Sequence, residues 1–148
     1  MAFAMSGNSQ YVKGYQKKIS LMNLMLGFLM DKSKFIDKTE GKWVSFKEMY
    51  MNGPSHGGLK GNGMAFVKYL QELLKSDNCL ISDQYKEELF TENVLNNGKP
   101  SGMCLSWFKN ELNGHTYFAH AGGGGGFYCE IRIYPDLGKG SVVMFNRS

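Results

Sequence analysis

The stretch His120–Tyr134, HAGGGGGFYCEIRIY, decides the fold. Glycines run unbroken from Gly122 to Gly126, with a histidine shortly before them and Phe127 directly after. A phosphate cradle needs a strand before such a loop and a helix after it, because the helix amino terminus supplies the anion site. Here the residues after the glycines alternate. Phe127, Cys129, Ile131 and Ile133 share one face, and Tyr128, Glu130, Arg132 and Tyr134 the other. That is the period of a strand. No Lys-Ser or Lys-Thr opens the segment, so the nucleotide-binding pattern is not met. Both flanks of the glycine run belong to one sheet, and it is not a linker between domains.

Outward from this point the period stays at two. Met103–Phe108 reads as a strand, Asn113-Gly114 as a two-residue hairpin turn, and His115–Ala119 as the return strand. Pro135–Lys139 reads as a turn. Val142–Phe145 is a nearly continuous apolar run, expected to be buried on both faces. Upstream the period is helical. Met64, Val67, Leu70 and Leu74 form an apolar face opposite Lys68, Gln71, Glu72 and Lys75. Ser82 is a good N-cap for a second helix reaching about Phe90. Ile19, Met22, Leu26 and Met30 suggest a short buried helix over Ile19–Met30, followed by a Lys-rich loop through Lys47. Ser6–Ser9 and Pro54–Gly63 read as loop and turn. The expected fold is α+β: helices followed by an antiparallel meander.

The chain has 148 residues, 43% hydrophobic and 20% charged, which is the balance of one ordinary globular domain with a substantial core. The formal charge of +4 comes mostly from lysines before residue 50. Such a face could meet nucleic acid or anionic lipid, but scattered lysines on a solvated surface are the usual case, and no nucleic-acid partner is expected. Cys79, Cys104 and Cys129 lack metal-ligand spacing and read as buried free thiols. His115 and His120 fall on opposite sides of one strand, so no metal site is expected. No signal peptide is visible, and Leu21–Met30 is too short to span a bilayer.

The order of several segments carries a resemblance. GPSHGGLKGNGMAFVKYLQELL (53–74), SGMCLSWF (101–108) and YFAHAGGGGGFYCEIRIYPDLGKGSVVMFNRS (117–148) resemble the carboxy-terminal half of the serine β-lactamase and penicillin-binding-protein-like hydrolases, the class C type with its esterase and D-aminopeptidase relatives. In that family a Gly-Gly-Leu segment opens a helix of this kind. A Gly-Leu-Gly-Trp-like strand follows, represented here by Gly102, Leu105 and Trp107. The third active-site motif, Lys-Thr-Gly or His-x-Gly, corresponds to His120-Ala121-Gly122, and residues 123–147 keep the family's order of Gly-Gly-Phe, Tyr-Pro and Val-Val-Met-x-Asn-Arg. Tyr11–Tyr15 is similar to an upstream Gly-Tyr element. Residues 1–52 are otherwise poorly assigned.

The resemblance implies a partial β-lactamase/transpeptidase-like fold and hydrolysis of an amide or ester through an acyl-serine. It implies that His120 lies near the substrate carboxylate or the proton path, and that the Gly123 N–H is an oxyanion donor in a third motif with Gly122. It also implies that Ala121 and Gly124 help the strand pair with a small-molecule or peptide substrate. No cofactor is implied. The family is often periplasmic or secreted. The family's nucleophile, Ser-x-x-Lys at a helix start, has one literal match, Ser106–Lys109. That match falls in the expected first strand, where positions i and i+3 face opposite ways. Tyr50-Met51-Asn52 has the letters of the second motif but abuts Gly57-Gly58. Both ends of the chain look cut relative to the family. Taken alone, the chain is expected to be inactive and to self-associate through an uncovered sheet. The other reading is a non-catalytic module of the same fold that binds a peptide or acyl-peptide.

Overall fold

The computed structural model describes residues 11–50, 57–77 and 79–147. The chain is α+β, with helices and two antiparallel sheets. It divides into two compact units. The first takes residues up to Gly61, then Gly122–Cys129 and the chain from Met144; the second takes Asn62–Ala121 and Glu130–Val143.

In the first unit, β1 (Tyr15–Lys17), β3 (Trp43–Phe46) and β2 (Ile36–Glu40) form a three-stranded sheet in the order β1-β3-β2. This sheet precedes the long helices, so the expectation of helices followed by one meander is corrected. The stretch expected as a Lys-rich loop holds a one-turn 3-10 helix, Lys32–Lys34, and the β2–β3 hairpin, turned at Gly41 with φ 60°. Its alternation is hidden because Asp37–Glu40 are all exposed and only Val44 and Ser45 are buried. Ser45 Oγ joins the hairpin internally, accepting from Lys38 N at 3.2 Å.

Between β1 and β2 lies α1 (Leu21–Leu29). Ser20 caps it, its Oγ accepting from Asn23 N at 3.0 Å. Of the expected buried face, Ile19 and Met30 are described and lie outward, while the side chains of Met22 and Leu26 lie outside the described residues. Ile19 is 92% exposed and Met30 50%. Among the described side chains of α1 the buried one is Asn23, whose Nδ2 donates to the Lys18 carbonyl at 2.7 Å.

In the second unit α2 (Gly63–Leu74) starts at Asn62, whose side chain accepts from Ala65 N at 2.9 Å. Leu70 and Leu73 are its buried residues, while Met64, expected inside, is exposed. The core face is thus rotated slightly from the expected stripe. α3 (Asp83–Phe90) follows its Ser82 cap as expected. Phe90 packs on Trp107 and Phe118, with ring centroids 5.7 and 4.6 Å apart. Leu70, Leu73, Trp107, Phe118, Ile131 and Ile133 form the core of this unit.

The loop after α2 depends on Glu72, which accepts from Lys75 Nζ at 2.6 Å and Cys79 N at 3.0 Å. The Lys75 ammonium, then the Cys79 N–H, hold the Glu72 carboxyl down to about 2. A carboxyl depressed on folding stabilises fully above its ordinary value of 4.5, and that contribution is lost as pH falls toward 2. The Cys79 amide resonance should therefore titrate with a midpoint near 2. In Glu72→Gln that step should vanish; a persisting step would assign it to another group.

The second sheet has four strands in sequential order: β4 (Phe108–Leu112), β5 (His115–Gly124), β6 (Phe127–Tyr134) and β7 (Lys139–Phe145). The expected meander is present. Asn113 and Gly114 both have positive φ, 53° and 78°, as the short hairpin requires. Two expectations are corrected. The first strand begins at Phe108 rather than Met103, because a tight loop closed by Cys104 N donating to the Trp107 carbonyl at 2.7 Å occupies that segment. The run Val142–Phe145 is not buried on both faces. β7 ends the sheet order, and Val143, Met144 and Phe145 are exposed by 40% or more.

Candidate functional site

The glycine run has two structural halves. Gly122–Gly124 continue β5, and Gly125-Gly126 are the turn into β6, with φ 57° and 80°. Two consecutive positive φ angles match a tight hairpin turn, which side chains resist.

Within the first unit, the turn is where backbone meets backbone. A Cβ on Gly126 would lie 2.6 Å from the carbonyl carbon of Gly14 and 2.8 Å from the Tyr15 oxygen, with Tyr15 N closer still. A Cβ on Gly14 would strike the Gly125 carbonyl and come within 2.9 Å of the Phe127 ring. Tyr15 N also donates to the Asn146 carbonyl at 2.8 Å. The group that approaches this turn is thus the chain's own Gly14-Tyr15. By contrast, a Cβ on Gly122 or Gly124 would meet nothing within 4 Å, and one on Gly123 would sit 3.2 Å from the Phe127 carbonyl oxygen. All three are exposed. They leave bare main chain along this part of β5.

His120 and Ala121 belong to the second unit and are exposed. Pairing with β4 runs from Leu112↔His115 to Phe108↔Ala119 and stops there. His120 is the first residue beyond it. Its Nδ1 lies 2.6 Å from the carbonyl oxygen of Ser106. A carbonyl can only accept, so Nδ1 carries the proton. Nε2 is then the atom offered outward. It accepts when the ring is neutral and donates when it is protonated.

The loop that holds His120 is itself tightly built. Ser106 has φ 66°, a left-handed conformation that non-glycine residues rarely adopt. Gly102 N donates to Glu92 Oε1 at 2.8 Å, and Lys109 Nζ lies 3.1 Å from Glu92 Oε2. The Gly102 N–H, followed by Lys109, lowers the Glu92 carboxyl below its ordinary range. The residue after Ser106, buried Trp107, packs against Phe90. The Ser106 carbonyl was not legible as a functional group, because nothing in SGMCLSWF announces a left-handed serine. Nothing local in the sequence pointed to the contact between Gly14-Tyr15 and the turn.

The literal Ser-x-x-Lys is placed differently from the expectation. Ser106 lies in the loop rather than in a strand, and Lys109 pairs with Glu92. Of Tyr50-Met51-Asn52, Met51 and Asn52 lie outside the described residues, as do His56, Pro54–Ser55 and Ser6–Ser9; the Tyr50 hydroxyl donates to Glu48 Oε1 at 2.6 Å.

His115 contacts Asp136 Oδ2 at 2.7 Å, a partner distinct from that of His120. Among the described residues no three His, Cys, Asp or Glu side chains converge as a metal site would require. The cysteines are free thiols: Cys104 is buried, Cys129 half-buried and Cys79 exposed, which departs from burial of all three. Burial raises the Cys104 and Cys129 thiols, and the Glu72 carboxylate raises that of Cys79. All three therefore resist forming the reactive thiolate.

A shallow hollow in the second unit is lined by Asp83, Lys86, Glu87, Phe90, Thr91, Phe118 and Pro135. It includes none of the residues singled out from sequence. No helix among the described residues is long and apolar enough to cross a membrane. No known protein family, curated protein or solved structure matches this chain.

Proposed function

We propose that this chain is the carboxy-terminal portion of a β-lactamase-like serine hydrolase and carries its substrate-facing strand. One observation supports this most. A histidine fixed as the Nδ1–H tautomer by the Ser106 carbonyl stands where β5 runs past the end of β4, followed by glycines with bare main chain. In this reading Nε2 of His120 receives the substrate carboxylate or relays a proton. The Gly123 N–H, in the third motif with Gly122, polarises the scissile carbonyl. Ala121 and Gly124 extend the backbone pairing surface. The nucleophile lies outside this chain, so the chain alone binds without turnover.

Two measurements test the reading. An acyl-D-Ala-D-Ala peptide should bind weakly to the chain by titration calorimetry. His120→Ala should weaken that binding by about tenfold or more, the loss of one hydrogen bond to a charged group. Gly123→Val should abolish it while a thermal melt confirms folding. Equal binding by all three proteins would refute the site. Intact mass after a labelled penicillin should show no adduct.

The runner-up, a binding module that never carried a nucleophile, draws on the same strand. The coding sequence upstream of Met1 separates the two. An open frame with Ser-x-x-Lys on a helix and then Tyr-x-Asn favours the hydrolase; a stop codon there favours the module.

A further inference from the structure

The helix α1 carries an exposed apolar stripe, Leu21, Leu24, Met25, Phe28 and Leu29, and among its described side chains the buried one is polar, Asn23. These positions follow the i, i+3, i+4, i+7, i+8 pattern that normally marks a core-facing face. Exposures run from 52% at Met25 to 84% at Phe28, and Ile19 and Met30 extend the patch at either end. No polar side chain interrupts the stripe. A protein interface of similar extent ordinarily carries hydrogen-bonding groups within it, about one per 100–200 Å².

Lysines bracket the stripe. Lys17 and Lys18 precede the helix, and Lys32 and Lys34 follow it. Lys32 folds back over the helix, so that a Cβ on Gly27 would lie 2.7 Å from its Cε and 2.9 Å from its Nζ. The nearby acids are engaged locally. Asp31 accepts from Ser33 N and Oγ, and Asp37 pairs with Lys13. From Lys13 to Lys47 there are eight lysines against three carboxylates.

From this combination we infer that α1 docks on the surface of an anionic phospholipid bilayer. The apolar stripe enters the acyl boundary, and the lysine stems reach back so that their ammonium groups meet the headgroup phosphates. Nine residues at about 1.5 Å each make a helix far shorter than the roughly 30 Å hydrocarbon core. It therefore lies along the interface rather than across it. This inference is independent of the proposed hydrolase reading, since it uses none of the β5 residues.

The test is co-sedimentation of the full chain with vesicles of phosphatidylcholine alone and of phosphatidylcholine with phosphatidylserine. Binding is expected on the mixed vesicles and much less on the neutral ones. Lys17→Gln and Lys18→Gln should each lower mixed-vesicle binding about fivefold. Leu24→Ser and Phe28→Ser should each lower it at least about tenfold. Both side chains are exposed, so circular dichroism should show the fold retained. Absence of binding to mixed vesicles would overturn the inference, as would undiminished binding by Phe28→Ser. So would self-association abolished by Leu24→Ser without vesicle binding, which would assign the stripe to a second copy of the chain.

Discussion

Gly126→Ala is expected to destabilise the protein by about 3 kcal/mol or more. The left-handed backbone contributes about 1–2 kcal/mol of strain, and overlap with rigid neighbours typically about 1–3 kcal/mol. The new methyl would meet the main chain of Gly14 and Tyr15, which cannot rotate aside as a side chain could. The other glycines of the run provide the control. Gly125→Ala carries the φ penalty alone, because its Cβ would enter open space, and should cost about 1 kcal/mol. Gly122→Ala and Gly124→Ala carry neither penalty and should change stability by less than about 1 kcal/mol, in either direction. Urea unfolding of the four variants would show this order. A Gly126→Ala protein as stable as the parent would mean that Gly14-Tyr15 does not lie against the turn.

Trp107→Ala should cost about 3–5 kcal/mol, the usual range for emptying a buried aromatic site. Trp107 is 4% exposed and contacts Phe90, which packs in turn on Phe118. Protein domains are typically stable by only about 5–15 kcal/mol, so the second unit would be near its limit. The same substitution should loosen the hold on His120. Trp107 anchors the loop whose Ser106 carbonyl accepts from Nδ1, so the Nδ1–H resonance of His120 should broaden or disappear. Trp107→Phe fills much of the same volume and should retain that resonance with a smaller loss of stability. If Trp107→Ala kept both stability and the resonance, the anchoring role would be wrong.

The exposed apolar positions on β7 bear on solution behaviour. Val143, Met144 and Phe145 present apolar surface on a strand that ends its sheet's order. That surface is the physical basis of the expected self-association through the sheet. It is distinct from the α1 stripe, so a Phe145→Lys variant should reduce sheet-mediated association while leaving vesicle binding intact.

By itself the sequence determined the elements whose causes are local. Asn113-Gly114 specified a hairpin because both residues tolerate positive φ, and strict alternation specified β6. Ser82 announced α3, and the strand after the glycines excluded a phosphate cradle in favour of an antiparallel sheet. His120 and the glycines could be singled out, but not what each does. Only the tertiary structure decided that Gly125-Gly126 form a turn closed against Gly14-Tyr15 while Gly122–Gly124 remain open strand. It alone placed a left-handed Ser106 carbonyl on His120 Nδ1. It also left Leu21, Leu24, Met25, Phe28 and Leu29 of α1 exposed, on a segment where the sequence suggested a short buried helix. The physical reason is common to all three. Periodicity reports that a face is apolar, and glycine reports that a side chain is absent, but what lies opposite comes from residues distant in the chain.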